Sequence, residues 1–398
     1  MTEHPHSPSW SRRILGELLL HWGARLGLAW IALLTLVAVF APLLANTHPL
    51  LIQSADGWHS PMLTYLTPAD ATLLGALCLA LVLFFSPGAR LLRFLLWLGG
   101  LVLIGMLSLM LVSPPALVVY EQYREAEALG EYQRVIRAPI PYSAKDYLRD
   151  YADTGLESPR SSTQRLHWFG TDENGADVLS RMIHATRIAL SIGFIATGIA
   201  LVIGVILGGL MGYFSGIVDM IGMRIVEIFE AIPTLFLLLT FVAFFGRSLY
   251  LMMLIIGLTS WSGYARYVRA EFLRLRQQDF VQGAIASGLS LPSILFRHML
   301  PNGMAPILVA ASFGVASAIL AEATLSFLGL GLVDDPSWGQ MLNQAVQSST
   351  FNWWMAAFPG GAIFLTVFAY NLIGEALRDA VDPHSQSGKS APPLKAAA

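Results

Sequence analysis

Three places in this chain carry residue types at spacings that could do chemistry. Gly388-Lys389-Ser390 is the fragment nearest to a phosphate-binding loop. Such a loop needs a glycine five places before its Gly-Lys pair, where backbone N–H groups begin to cradle phosphate, and a helix after it. Pro383 occupies that position and no helical pattern follows, so no nucleotide site is expected. The run Asp172-Glu-Asn-Gly-Ala-Asp177 gathers oxygen ligands. A calcium loop wants them at alternating positions with glycine sixth. Here Gly175 is fourth, and the spacing predicts a turn and a helix cap instead. Glu322 stands inside an apolar stretch, where an ionisable group is costly and often functional. It is a candidate to line a translocation path, or to hydrogen-bond a neighbouring helix and fix packing. Arg224 and Glu227 are three apart and predict a structural pair on one helix face. The single cysteine, Cys78, can form neither an internal disulfide nor a paired-cysteine metal site. The nine histidines are scattered, and the chain holds no HExxH or GxSxG pattern. No catalytic residue, metal or bound cofactor is expected, and the chain is not expected to be an enzyme.

The elements that must position these residues are helices in lipid. Hydrophobic residues make up 55% of the 398 and charged residues 13%, against about 25% in an ordinary soluble protein. A net charge of -2 excludes a general nucleic-acid binder, which needs a basic surface to displace counterions. A helix crosses a bilayer with about 20 apolar residues. Eight stretches qualify or nearly do: 26–45, 71–85, 92–112, 188–211, 225–245, 249–261, 306–330 and 354–373. The fold class is therefore all-α, a polytopic transmembrane protein of about eight spans. Arg12 and Arg13 precede a long first stretch followed by further spans, unlike a cleaved leader.

Orientation follows from Lys and Arg, which concentrate in cytosolic segments. With the N-terminus in the cytosol, those segments hold Arg12, Arg13, Arg25, Arg90, Arg93, Arg224, Arg266, Arg269, Arg274, Arg276, Arg297, Arg378, Lys389 and Lys395. Both termini are then cytosolic. The organisation reads as a cytosolic N-terminus (1–25), a first span with two more (26–112), and an extracytoplasmic region (113–187). A membrane core (188–381) with a cytosolic loop (266–302) and a disordered tail (382–398) complete it. The Pro-rich region 113–187 is expected to be a small structured unit, with 332–353 a second outside segment. Gly204, Gly208, Gly212 and Gly216 recur every four residues. That stripe predicts a close helix contact, within the chain or with a partner.

The loop 266–302 is the most basic cytosolic segment. Asp279 and Gln282 have the spacing of a capping box. The small residues Gly283, Ala284, Ala286 and Ser287 follow, and Gly288 is placed to end the helix in a left-handed conformation. Pro292 suits the first turn of a second helix, expected to end near Pro301. Two short helices outside the membrane result. They are either a plain connecting hairpin or a docking element whose small side chains let a partner approach the backbone.

Asp279-Phe-Val-Gln-Gly-Ala-Ile-Ala-Ser-Gly288, with Ile294-Leu-Phe-Arg-His-Met-Leu-Pro-Asn302, resembles the EAA loop of bacterial ABC importer permeases. The segments 167–181, 321–331, 336–339 and 371–383 resemble the C-type dipeptide/oligopeptide permeases of that group, as does 40–51 in the first span. The resemblance implies a type I ABC importer (MetI-like) core of six spans, to which this chain adds 71–85 and 92–112. It implies a peptide-importing permease in the bacterial inner membrane, with a second homologous permease, two cytosolic ABC ATPases and an extracytoplasmic solute-binding protein as partners. ATP and magnesium would sit on the ATPases. It makes the first loop helix a coupling helix, with Asp279, Gln282, Gly283, Ala284, Gly288, Arg297 and Pro301 as its site residues. Gln282 and Gly283 depart from the family's Glu and Ala. An ATP-driven importer needs no proton carrier, which favours the packing role of Glu322. The alternative is an ion-gradient-driven transporter, which wants broken, charged helices at mid-membrane.

Overall fold

The computed structural model describes residues 10–54, 57–115, 117–148, 156–161, 166–332 and 335–381; the tail expected to be disordered lies outside them. In chain order come α1 (Trp10–Leu20), α2 (Trp22–Leu44), strands β1 (Leu51–Ser54) and β2 (Gly57–His59), and the short α3 (Pro61–Thr64). Next are α4 (Pro68–Phe85), α5 (Arg90–Leu111), α6 (Gln122–Ala128) and β3 (Arg134–Ile136). The chain continues with α7 (Val178–Phe214), α8 (Gly216–Ala231), α9 (Thr234–Phe245), α10 (Leu249–Arg276) and α11 (Asp279–Ala286). A π-helical segment, Ser293–Met299, leads into α12 (Leu300–Leu325) and a second π-helical turn, Ser326–Leu330. Then come α13 (Trp338–Gln347) and α14 (Trp353–Val381).

Six helices among the described residues are long and apolar enough to cross a bilayer, seven if the bent pair α8–α9 is one span. The stretch 225–245, expected to run straight, is instead broken by a bend of 80°. Pro233 causes the break: it has no N–H to continue the ladder and pushes Ile232 out of helical geometry, to φ -87° and ψ 122°. The short stretch 249–261 is the first half of α10, a 28-residue helix. Its buried Met252, Ile256, Trp261, Ala265, Val268, Phe272 and Leu275 recur at helical spacing. Hydropathy places the start of the next core span at 188, but α7 begins ten residues earlier and has 37 residues. At 1.5 Å per residue it is about 55 Å long, well beyond the roughly 30 Å of a hydrocarbon core.

The chain divides into two compact units. One comprises 1–32, 189–332 and 361–398. Within it α7 and α10 are pressed together along the glycine stripe. A Cβ on Gly204 would lie 2.5 Å from Tyr264 Cβ, one on Gly208 2.4 Å from the Ala265 carbonyl oxygen, and one on Gly212 2.6 Å from Phe272 Cβ. The stripe is thus a seam inside the chain. Gly216 is not part of it: it has a φ of +56° and an open Cβ position at the turn into α8. Leu18 and Ala24 pack on Ala376, and Trp30 Nε1 donates to Thr366 Oγ1 at 3.1 Å.

The second unit comprises 33–188 and 333–360. A three-stranded antiparallel sheet in the order β2-β1-β3 pairs Ile52 with His59 and Leu51 with Ile136. Within 113–187, β3 thus pairs with a strand that precedes the region in sequence. His48 is buried and stacked on Tyr65, ring centroids 3.8 Å apart. Helices α4 and α5 form a hairpin, with Trp97 Nε1 donating to the Ala76 carbonyl at 3.3 Å. The run 172–177 is the expected turn and cap. Asp172 Oδ1 accepts from the N–H groups of Asn174 and Ala176, both at 2.9 Å. Asp177 Oδ2 accepts from Ser180 N at 2.7 Å in the first turn of α7. The other oxygen of Asp177 meets His167 Nδ1 at 2.8 Å.

Candidate functional site

The loop between α10 and α12 is built around its own small core. Val281 and Ala284 point inward, onto Phe272, Leu275, Ile294, Leu295 and Met299. Ala284 is thus a packing residue of the loop, not part of its open face. The open face of α11 carries Phe280, Gln282, Gly283 and Ile285, with Leu289 beyond it. A Cβ at Gly283 would meet nothing within 4 Å.

The capping box does not form. The helix starts one residue earlier than its spacing implied: Gln278 is the N-cap and makes no side-chain cap bond. Asp279 is therefore already in the first turn, where a carboxylate suits the helix dipole. Gln282 instead donates from Nε2 to the Arg276 carbonyl at 2.8 Å, tying α11 to the end of α10. The C-terminus follows expectation. Gly288 has a φ of +70°. Its N–H donates to Ile285 O at 3.0 Å, and Leu289 N donates to Ala284 O at 3.3 Å. That bond pair satisfies two carbonyls that a helix end leaves open.

The second loop helix does not end near Pro301. It enters α12 without a break, so that Ser293–Leu330 is one helical run of 38 residues. Proline inside an α-helix clashes with the carbonyl four residues back, here Arg297. The π-helical turn before it, with Leu300 N donating to Leu295 O, widens the helix and accommodates the ring. Arg297 and Pro301 are both exposed on this joint.

Ion pairs fix the same end of the unit. Arg224 Nη1 donates to Glu227 Oε2 at 2.5 Å, the pair expected from spacing. Long-range partners were not readable from spacing: Glu230 pairs with Arg266, and Asp219 takes both Arg269 Nε and, at 2.6 Å, Nη2. Arg276 Nη1 donates to Ser215 Oγ at 2.7 Å.

A cavity of about 340 Å³ opens between α7, α10 and α12. Its wall is small and neutral: Ala196, Ala200, Gly263 and Ala310 leave the space, and Thr197, Ser260, Tyr264, Tyr267 and Ser317 supply hydroxyls. No charged side chain lines it. Tyr264 lies so close over Gly314 that a Cβ there would be 1.5 Å from its hydroxyl. Sequence reasoning missed this site, because its residues are bland and come together only across three helices. Glu322, 2% exposed, is not in the lining; it accepts from Ser326 Oγ at 2.6 Å, one turn along its own helix.

Apolar spanning helices around a neutral cavity, with a folded helical loop at the end of one of them, define a multi-pass membrane transport protein. The chain belongs to the family of binding-protein-dependent transport system inner membrane components, whose pattern matches residues 204–386. It is similar to the dipeptide transport system permease protein DppC of Alkalihalophilus pseudofirmus, 39% identical over 238 residues, which are 60% of this chain and 78% of that one. It is also similar to the oligopeptide transport system permease protein OppC of Haemophilus influenzae (38% over 245 residues, 61% and 77% of the two chains). A third relative is the glutathione transport system permease protein GsiD of Pectobacterium atrosepticum (39% over 249 residues, 62% and 81%). Among solved structures, an inward-facing MetNI methionine ABC transporter aligns with a TM-score of 0.44 at 17% identity, covering 51% of this chain and 98% of that one.

Proposed function

We propose that this chain is the peptide-conducting permease of an ATP-driven importer, with α11 as the element that receives force from a separate ATPase. The observation that carries the reading is the open face of α11: Phe280, Ile285 and Leu289 are left exposed on a loop whose own core is already filled by Val281 and Ala284. Exposed apolar side chains around a bare glycine backbone suit a protein groove. Asp279, Gln282, Gly283 and Gly288 shape that face, Ala284 seats it, and Arg297 and Pro301 lie on the joint to α12.

ATP and magnesium act on the partner ATPases. The assembly includes a second homologous permease, two such ATPases and an extracytoplasmic solute-binding protein, with both termini of this chain in the cytosol. Closure of the ATPases displaces α11, and α12 moves with it because Val281 and Ala284 pack on the π-helical segment, which runs into α12 without a turn. The cavity between α7, α10 and α12 forms part of the path. Its neutral, hydroxyl-bearing wall suits a substrate recognised by its main chain rather than by side-chain charge. Glu322 acts in the wall of α12 through Ser326 rather than in the open path.

Relatives named for dipeptides, oligopeptides and glutathione support the substrate class. The test is co-purification from membranes with the partner ATPase. Phe280→Asp places a charge on the docking face and is expected to cut ATPase retention by tenfold or more, about 1.4 kcal/mol of binding, while the chain still inserts. Full retention by that variant and by Ile285→Asp together would remove α11 from the joint.

A further inference from the structure

Arg187 lies ten residues into α7, with its side chain 16% exposed. It reaches the carbonyl row of α2: Nε donates to Ala38 O, and Nη2 approaches Val39 O at 3.4 Å. The Ala38 carbonyl has lost its own helical donor, because the residue four places on is Pro42, which has no N–H. His184, one turn earlier on α7, addresses the Ala45 carbonyl at 3.1 Å. Two side chains of α7 thus close the end of α2, and one of them carries a full positive charge into an enclosed place. A charge so placed needs a counter-ion.

That counter-ion comes from the extra hairpin. Asp70 Oδ1 pairs with Arg187 Nη1, and the Asp70 side chain is 8% exposed. Its second oxygen is spoken for locally: Oδ2 accepts from Thr67 N at 2.8 Å and Thr67 Oγ1 at 2.7 Å, closing the capping box at the start of α4. The two oxygens divide the work, one organising the hairpin and the other neutralising Arg187. The remainder of the hairpin packs little on the rest of the chain: only 11% and 6% of the apolar stretches of α4 and α5 are buried.

We propose that the hairpin α4–α5 is fastened to the α2–α7 corner through Asp70, a positioning residue that holds the Arg187 guanidinium on the Ala38 carbonyl left open by Pro42. The hairpin is then part of what fixes α7 lengthwise.

A double-mutant cycle on the full chain in nanodiscs tests this. Folded fraction is read at the denaturant concentration that half-unfolds the unmodified protein. Asp70→Asn keeps shape and drops charge. It and Arg187→Met are each expected to lower the folded-to-unfolded ratio by roughly tenfold or more, and the double variant is expected to be no worse than Arg187→Met alone. Asp70→Glu, which keeps the charge, recovers most of the Asp70→Asn loss. Pro42→Ala restores a backbone donor to Ala38 and recovers part of the Arg187→Met loss. Additive losses in the double variant, or an Asp70→Asn protein as stable as the parent, would overturn the proposal. So would equal behaviour of the Asn and Glu variants, since shape rather than charge would then matter. None of these readouts depends on the transported substrate.

Discussion

Substituting Gly288 gives the most sharply graded test of the loop. Its φ of +70° lies where a side chain crowds its own backbone, at a cost of about 1–2 kcal/mol for an ordinary residue. A Cβ built there meets nothing within 4 Å, so the cost is conformational only and no neighbour has to move. Alanine should therefore shift the balance between the capped and uncapped ends of α11 by roughly 5–30-fold. Asparagine, which tolerates the left-handed region, should lose less. Valine, β-branched, should lose most. The assay is substrate-stimulated ATP hydrolysis by the assembled importer, with uptake beside it. The expected order is Gly, Asn, Ala, Val, with membrane insertion and basal hydrolysis unchanged in all four. Valine coupling as well as glycine would refute the role of the cap. Alanine outperforming asparagine would refute the backbone argument even if coupling fell.

Three further outcomes are expected. Gly314→Ala drives the Tyr264 hydroxyl away from the new methyl group and into the cavity, so uptake should fall several-fold at normal expression, and Tyr264→Ala in the same chain should restore it; a silent Gly314→Ala removes the cavity from the path. Burial, assisted by the nearby Arg124 charge, lowers the His48 pKa from 6.5 to about 4. The unfolded chain therefore takes up a proton between these values while the folded chain does not, and stability present above about pH 6.5 is lost as pH falls toward 4, by about 3 kcal/mol at most. His48→Phe should flatten that stretch of a thermal melting profile, whereas an unchanged slope assigns the loss elsewhere. Burial raises the Asp146 pKa despite its pair with Arg124, which contributes with the opposite sign near the acid end. A membrane-impermeant thiol reagent added outside should label Trp168→Cys and not Gln277→Cys, both exposed positions; the reverse pattern inverts the orientation.

Much of the fold was legible because lipid imposes a long apolar signal. The eight stretches correspond to the six long helices, the bent pair and α10. Gly288 was legible because only a positive φ explains a glycine after a short helix, and Asp177 because a cap has a fixed spacing. The misses share a cause: hydropathy averages over residues and cannot see where a ladder breaks or continues. Pro233 breaks α9 from α8 inside an apolar run, whereas Pro301 fails to stop a helix because a π turn makes room for it. The first ten residues of α7 are polar enough to look like loop. Ala284 looked like open surface because a small residue fits a docking face and a tight core equally well. Asp70 and Arg187 are 117 positions apart, and nothing local in either marks the other.

The continuous run from Ser293 to Leu330 has a mechanical consequence. A loop joined to a span by a turn can swivel, and part of any push is lost as slack. Here the segment that α11 packs on and α12 form one helical run of 38 residues, interrupted along its length by Pro306. At the far end the run stops at Gly329, with a φ of +80°. Bending can be taken up at Pro306, but beyond it no break comes before Gly329, so torsion that passes Pro306 also passes the cavity wall at Gly314 and Ser317.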